Sequence, residues 1–298
     1  MRHFGPFLCA IPWYVTMLLF FALPTVGLFG LSFAEYRLGG DLTFPTMANY
    51  AALVDFSSGH MQVIGRTLLV GLSVVVLCVL ISIPLAYYLA IVVRSPLLEA
   101  AALTLVAATF LLGPLVRTVS WRGILGLNGL INAVLLNLGL TDEPLLALLY
   151  GRGAMITAMV YNAFPFMLFT AYLALKTVDL RLIAAARDLG ASATTAFWRI
   201  VVPLGAPGVY TGAVLVAVPT FSAVLEPEML GGTSGRLAAT TIRDAFFHAN
   251  NWPMGATITV ALVIAGGAAI TALILLLSVL VRAFSHLGIG LGTTERGS

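Results

Sequence analysis

The fold class this sequence predicts is an all-α integral membrane protein with six transmembrane helices, and three observations predict it. Mean hydropathy is +1.03, with 60% hydrophobic and only 9% charged residues, which excludes a soluble globular domain. The apolar residues come in continuous runs instead of alternating ones, which excludes a transmembrane β-barrel. A chain of 298 residues has room for about six spanning helices of roughly 20 residues with their connections.

The first run, 7–31, follows Arg2 and His3. It is too long for a signal-peptide core and has no small-residue cleavage site, so it reads as a retained helix with Pro12 and Pro24 as kinks. Residues 32–65 carry Glu35, Asp41, Asp55 and several turn formers and read as an external loop. The second helix, 67–93, contains Pro84, a kink that its neighbours must accommodate. Arg94-Ser95-Pro96 makes a tight turn into a third helix, 97–115. The stretch 117–152 is less apolar, with Asp142 and Glu143, and its segment 127–138 is too short to span. The fourth helix is 154–175, interrupted by Asn162 and Pro165. A polar island at 176–203 separates it from the fifth helix, 205–225, and the sixth is 254–281. The tail after Arg282 is short and Gly-rich.

Six spans put both termini on one side. Counting Lys and Arg, that side holds Arg2, Arg94, Lys176, Arg181, Arg187, Arg199, Arg282 and Arg296, eight against seven on the other. The total decides little, but four of the eight cluster in the central island. The positive-inside rule therefore puts that island and both termini in the cytoplasm.

The chemistry that is missing narrows the function. The only lysine, Lys176, follows Leu175, so no Gly-Lys-Ser/Thr phosphate cradle exists and the chain does not hydrolyse ATP by that route. His3, His60, His248 and His286 are scattered outside the predicted spans, without metal-ligand spacing. Cys9 and Cys78 sit in apolar runs as free packing thiols. A net charge of +3 is no nucleic-acid footprint. An enzyme is not expected, no metal or cofactor is expected, and energy must come from a partner or an ion gradient. Helices 1, 2, 5 and 6 show no interior charge, which argues against an ion-driven secondary transporter or channel.

Two stretches carry information. In the island, Leu182, Ala185, Ala186 and Leu189 share one helical face, Gly190 is placed for a left-handed C-cap, and Ser192 or Thr194 can cap a second short helix holding Phe197 and Ile200 before Pro203. Charged residues Arg181, Arg187, Asp188 and Arg199 keep it out of the bilayer, either as a handle for a partner protein or as an ordinary solvated loop. Further on, Glu226-Pro227-Glu228 ends the fifth helix with two carboxylates at the mouth of the bundle, and Gly231-Gly232 turns the chain. These carboxylates either line a polar route or form local caps and salt bridges. Arg117, Trp121, Arg236 and Asp244 are candidates to pair across an outer gate, or to lie at the membrane interface.

Ala185-Ala186 with Gly190, Ile200 and Pro203 resembles the cytoplasmic Glu-Ala-Ala loop of ABC importer permeases, although Ala184 stands where the motif's Glu is usual. Pro227-Glu-Met-Leu-Gly-Gly232, Asn251-Trp252-Pro253, Leu115-Val-Arg-Thr118 with Trp121, Gly129-Leu-Ile-Asn132 and Asn49-Tyr50 are similar to permeases of spermidine/putrescine importers. The resemblance implies a type I ABC importer permease fold in a bacterial inner membrane. It implies that Ala185, Ala186, Arg187, Asp188, Leu189, Gly190, Ala191, Ile200 and Pro203 couple to an ATPase dimer, which binds the ATP and Mg. It also implies a second, related permease and a soluble binding protein as partners. The substrate is then a polyamine or, on the same scaffold, another small amine, amino acid derivative, opine or anion. Glu226, Glu228, Arg117, Trp121 and Asp244 are the candidate pathway residues, and Glu226 stands where a neutral residue is expected.

Overall fold

The computed structural model describes residues 5–36 and 42–287 and is helical throughout, apart from a two-residue antiparallel hairpin pairing Glu35–Tyr36 with Leu42–Thr43. Expectations resting on Arg2, His3, Arg37, Asp41, Arg296 and the side chain of Cys9 lie outside the described residues. Among the described residues, six helices are long and apolar enough to cross a membrane: Ile11–Leu31, His60–Val92, Pro114–Asn137, Leu146–Lys176, Ala193–Phe221 and Trp252–Ala283. The chain divides into two compact units, residues 1–65 with 237–265, and residues 66–236 with 266–298.

Several boundaries differ from the sequence reading, each for a local reason. The third helix stops early. Ser95 accepts from the Leu98 amide to start Pro96–Ala108, a 3-10 turn carries it to Leu111, and Leu112 turns extended before Gly113 and Pro114 begin a new helix. At about 24 Å that first piece falls short of the roughly 30 Å hydrocarbon core. The second helix begins at His60 rather than Thr67, because the left-handed Gly59 and the Ser58 hydroxyl, which accepts from the His60 amide, start it there. His60 is therefore the first residue of a helix long enough to span and not a loop residue. The fifth helix runs Ala193–Phe221, so the expected second short helix of the island is its first turns. It stops at Ser222, and Glu226-Pro227-Glu228 belongs to a separate helix, Leu225–Leu230. Pro227 sits in that helix's first turn, where an amide has no intrahelical acceptor, so it does not break it.

Pro24, expected to kink the first helix, and Pro203, expected to end the island, are each met by a wide turn. Leu18–Ala22 and Phe197–Val201 are π turns, each ending two residues before a proline, Pro24 and Pro203. In each, the amide just before the proline bonds five residues back, Leu23 to Leu18 and Val202 to Phe197. The helix absorbs the missing proline donor within its own backbone, which lipid requires.

In the first unit, Asn49 and Tyr50 tie down the segment after the first helix. The Asn49 amide donates to the Ala34 carbonyl at 2.6 Å, and Tyr50 and Ser32 hydroxyls lie 2.8 Å apart. Asn251 caps the last helix, accepting from the Met254 amide at 3.1 Å. In the second unit, buried Asn132, on the Leu130–Asn137 helix, ties down the segments on either side of that helix: its amide donates to the Gly126 carbonyl at 2.9 Å and its oxygen accepts from the Leu145 amide at 2.8 Å. Cys78 is a buried free thiol.

The tightest packing joins Arg152–Lys176 to Val202–Phe221. Gly205, Gly208 and Gly212 of the second helix face Leu175, then Ala174 and Thr170, then Thr170 and Met167 of the first. Small residues at this spacing let two helix backbones approach closely. A Cβ at Gly208 would fall inside contact distance of the Thr170 carbonyl oxygen and the Ala174 Cβ. Gly208→Ala is therefore expected to destabilise the detergent-solubilised protein by about 1–3 kcal/mol. Gly267→Ala, whose Cβ would meet nothing within 4 Å, should leave the melting temperature unchanged or raise it. Thermal melting of both variants checks this contrast.

Candidate functional site

The bend between the fourth and fifth helices is built by its caps. Asp179 accepts from the Arg181 amide at 2.9 Å to start Leu180–Asp188. At the other end Gly190 takes φ +86°. Its amide bonds the Arg187 carbonyl at 2.9 Å, and the Ala191 amide bonds the Ala186 carbonyl at 2.9 Å. This pair of reversed bonds is a Schellman motif, and only glycine takes its left-handed position without strain. A Cβ at Gly190 would meet nothing within 4 Å, so the demand is on the backbone and not on space. Ser192 then accepts from the Thr195 amide at 3.1 Å and caps the next helix.

One face of Leu180–Asp188 is anchored. Ile183 and Phe197 pack against a buried cluster that includes Ala86, Leu89, Leu168, Tyr172 and Val201, with Phe197 edge-on to Tyr87 at 5.0 Å. The opposite face is bare: Leu182 is 49% and Leu189 is 89% exposed, with Ala185 exposed between them. Arg187, Asp188 and Ala191 flank this apolar strip, while Ala186 is half-buried. Ile200 and Pro203 are half-buried further on, within and just after the π turn.

The second feature is a buried polar cluster in the same unit. Asn162, in the middle of an apolar helix, donates to Glu226 Oε1 at 2.6 Å and lies 3.4 Å from the Thr118 hydroxyl. Arg117 donates to the Asn162 carbonyl at 3.4 Å, with its guanidinium 6.0 Å from the centre of the Phe110 ring. Arg117 and Glu226 are only 6% and 8% exposed. Two polar atoms of this cluster, Arg117 Nε and Asn162 Oδ1, have no hydrogen-bond partner. A buried carboxylate and a buried guanidinium thus each bond Asn162, and the cluster still offers an acceptor and a donor.

The candidate residues therefore separate. Arg117 and Glu226 meet through Asn162, which the sequence marked only as an interruption of the helix. A lone amide in an apolar span was the available sign. Trp121 packs edge-on against Tyr161 at 5.6 Å. Glu228 is exposed two residues from Glu226. Asp244 is engaged locally, with Arg243 at 2.8 Å and His248 at 3.2 Å. The Arg243 hydrogen bond holds its carboxyl below the usual aspartate range. Arg236 is exposed.

The family described as "Binding-protein-dependent transport system inner membrane component" matches residues 6–287 of this chain. The spermidine/putrescine transport system permease protein PotB of Haemophilus influenzae is 31% identical over 249 residues, covering 83% of this chain and 85% of its own. The permease protein PotC of the Escherichia coli spermidine/putrescine system is 33% identical over 90 residues, 30% of this chain and 34% of its own. Among solved structures, a bacterial alginate ABC transporter, in complex with an alginate pentasaccharide-bound periplasmic protein, superposes with a TM-score of 0.76. It does so at 16% identity over 95% of this chain and 96% of the other, a likeness of fold alone.

The cluster's internal bond yields a stability test. Asn162→Leu and Glu226→Leu each leave a buried polar partner unsatisfied, so each should destabilise. Their double variant should cost less than the sum by about 1–3 kcal/mol. Unfolding of the four proteins in detergent, read as a double-mutant cycle, measures the difference.

Proposed function

Because this chain belongs to the family of binding-protein-dependent transport system inner membrane components, and so is the permease subunit of an ABC importer, we propose that the solute it passes is a polyamine such as spermidine or putrescine. The observation that carries the reading is the 31% identity, over most of both chains, to a spermidine/putrescine permease. The carboxylates of Glu226 and Glu228 and the unpaired Asn162 Oδ1 support it, since an ammonium needs acceptors and a negative field. Glu226 is buried against Asn162, whereas the Glu228 carboxylate is exposed two residues on, which adds a second acidic group to the same short helix.

The partners follow from the same reading. One set of six spans does not enclose a route, so a second permease related to this one completes it. A soluble binding protein delivers the solute to the outer face. An ATPase dimer covers the bare strip of Leu182, Ala185 and Leu189, and that strip, with both termini, faces the cytoplasm. Closure of the ATPase dimer on ATP moves the Leu180–Asp188 helix. The bundles then open outward, and hydrolysis returns them inward. Ala185, Ala186, Arg187, Asp188, Leu189, Gly190, Ala191, Ile200 and Pro203 form the coupling element, with Gly190 as its fixed bend.

The test is uptake of labelled spermidine by the complete importer in liposomes. The wild type should take it up with ATP. Glu226→Gln with Glu228→Gln should lose most of that uptake, and Gly190→Val should abolish it while the chain remains in the membrane. Wild-type vesicles that retain the ATPase but import no spermidine or putrescine would overturn the polyamine reading. Full uptake by Gly190→Val would overturn the coupling role of the bend.

A further inference from the structure

We propose that Glu99, Tyr172 and Lys176 form a positioning cluster that sets where the Leu180–Asp188 helix leaves the bundle, and so transmits its movement to the Pro96–Leu111 helix. Tyr172 and Lys176 lie on successive turns at the end of Arg152–Lys176. Glu99 lies in the first turn of Pro96–Ala108, where a carboxylate suits the helix dipole. A single carboxylate oxygen, Glu99 Oε1, takes both the Tyr172 hydroxyl and the Lys176 ammonium, the latter at 2.5 Å. The ammonium also lies 5.8 Å from the centre of the Tyr172 ring. Three groups on two helices thus converge on one atom.

Their place in the fold gives this convergence a consequence. Only Thr177, Val178 and Asp179 separate Lys176 from the short helix, and Asp179 is that helix's cap. Tyr172 belongs to the same buried cluster that anchors Ile183 and Phe197. A push on Leu180–Asp188 therefore reaches the end of the 152–176 helix within one turn, and Glu99 is the polar link that passes it to a helix otherwise held by apolar contact. The Glu99 side chain is 16% and that of Lys176 46% exposed. A half-exposed ion pair contributes only about 0–1 kcal/mol to stability, so the cluster's value lies in fixing geometry. A buried tyrosine hydroxyl needs a partner, and Glu99 is the partner that makes Tyr172 part of the link.

The inference rests on the importer reading, and the experiment separates the two. The readout is ATPase activity of the reconstituted complex of this chain with its companion permease, ATPase and binding protein, measured with and without the binding protein. Glu99→Gln should keep basal hydrolysis but cut the stimulation by roughly fivefold or more, the lower range of coupling between linked sites. Tyr172→Phe should cut it less. Exchanging the charges, Glu99→Lys with Lys176→Glu, should recover much of the loss, which a merely structural role would not do. Undiminished stimulation in Glu99→Gln, or charge exchange no better than the single changes, overturns the inference and leaves the importer reading intact. A wild-type complex that retains no ATPase overturns both.

Discussion

Gly205, Gly208 and Gly212 let the Val202–Phe221 helix lie against the backbone of Arg152–Lys176, and this contact makes the two helices a single lever. One end of the lever is the capped bend at Gly190. Along its length sits Asn162, which gathers Glu226 and the Arg117 side chain. Asn162 and Lys176 are 14 residues apart, about 21 Å along a helix axis. A closely packed pair of this length spans the distance from the bend to the polar cluster. A larger residue at Gly208, where a Cβ would meet the Thr170 carbonyl, would force the helices apart.

The lipid solvent constrains the rest. No water is available in the hydrocarbon core to satisfy a freed amide or carbonyl. Pro24 and Pro203 are therefore accommodated by π turns, and Thr211 and Thr220 return their hydroxyls to carbonyls four residues back. The same constraint explains why charged groups in the second unit come in company. Arg117 and Glu226 share Asn162, and Glu99 shares its oxygen between Tyr172 and Lys176.

Helix count, membrane class and the Gly190 bend were legible in the sequence because each depends on a local rule: run length, composition, and glycine's freedom at positive φ. Boundaries were less legible. A proline reads as a stop, yet Pro203 lies inside Ala193–Phe221 and Pro227 in a helix's first turn, since neither position calls for a donor the backbone cannot do without. The Pro96–Leu111 break was hidden because Leu111-Leu112 on one side and Leu115-Val116 on the other keep the run apolar across Gly113-Pro114. The site was legible in its parts and not in its pairings. Glu226 and Arg117 stood out as charges in apolar surroundings, but Asn162, 45 residues from one and 64 from the other, links them only through tertiary packing. Asp244 was a candidate either for a pair across a gate or for the membrane interface, and the structure engages it with Arg243 and His248 close by in sequence. Glu99 lies 77 residues before Lys176, and only tertiary packing brings them to one oxygen.

The central claim is that the bare apolar face of Leu180–Asp188 is the inner docking surface through which an ATPase drives this lever. The most direct measurement places a single cysteine at Leu189 in a chain lacking Cys9 and Cys78, and labels it with a membrane-impermeant maleimide. Labelling in inside-out vesicles only, blocked when the ATPase is bound, is the result this account predicts. Labelling from the outer face of intact cells, or labelling in inside-out vesicles that the bound ATPase leaves unchanged, would contradict it.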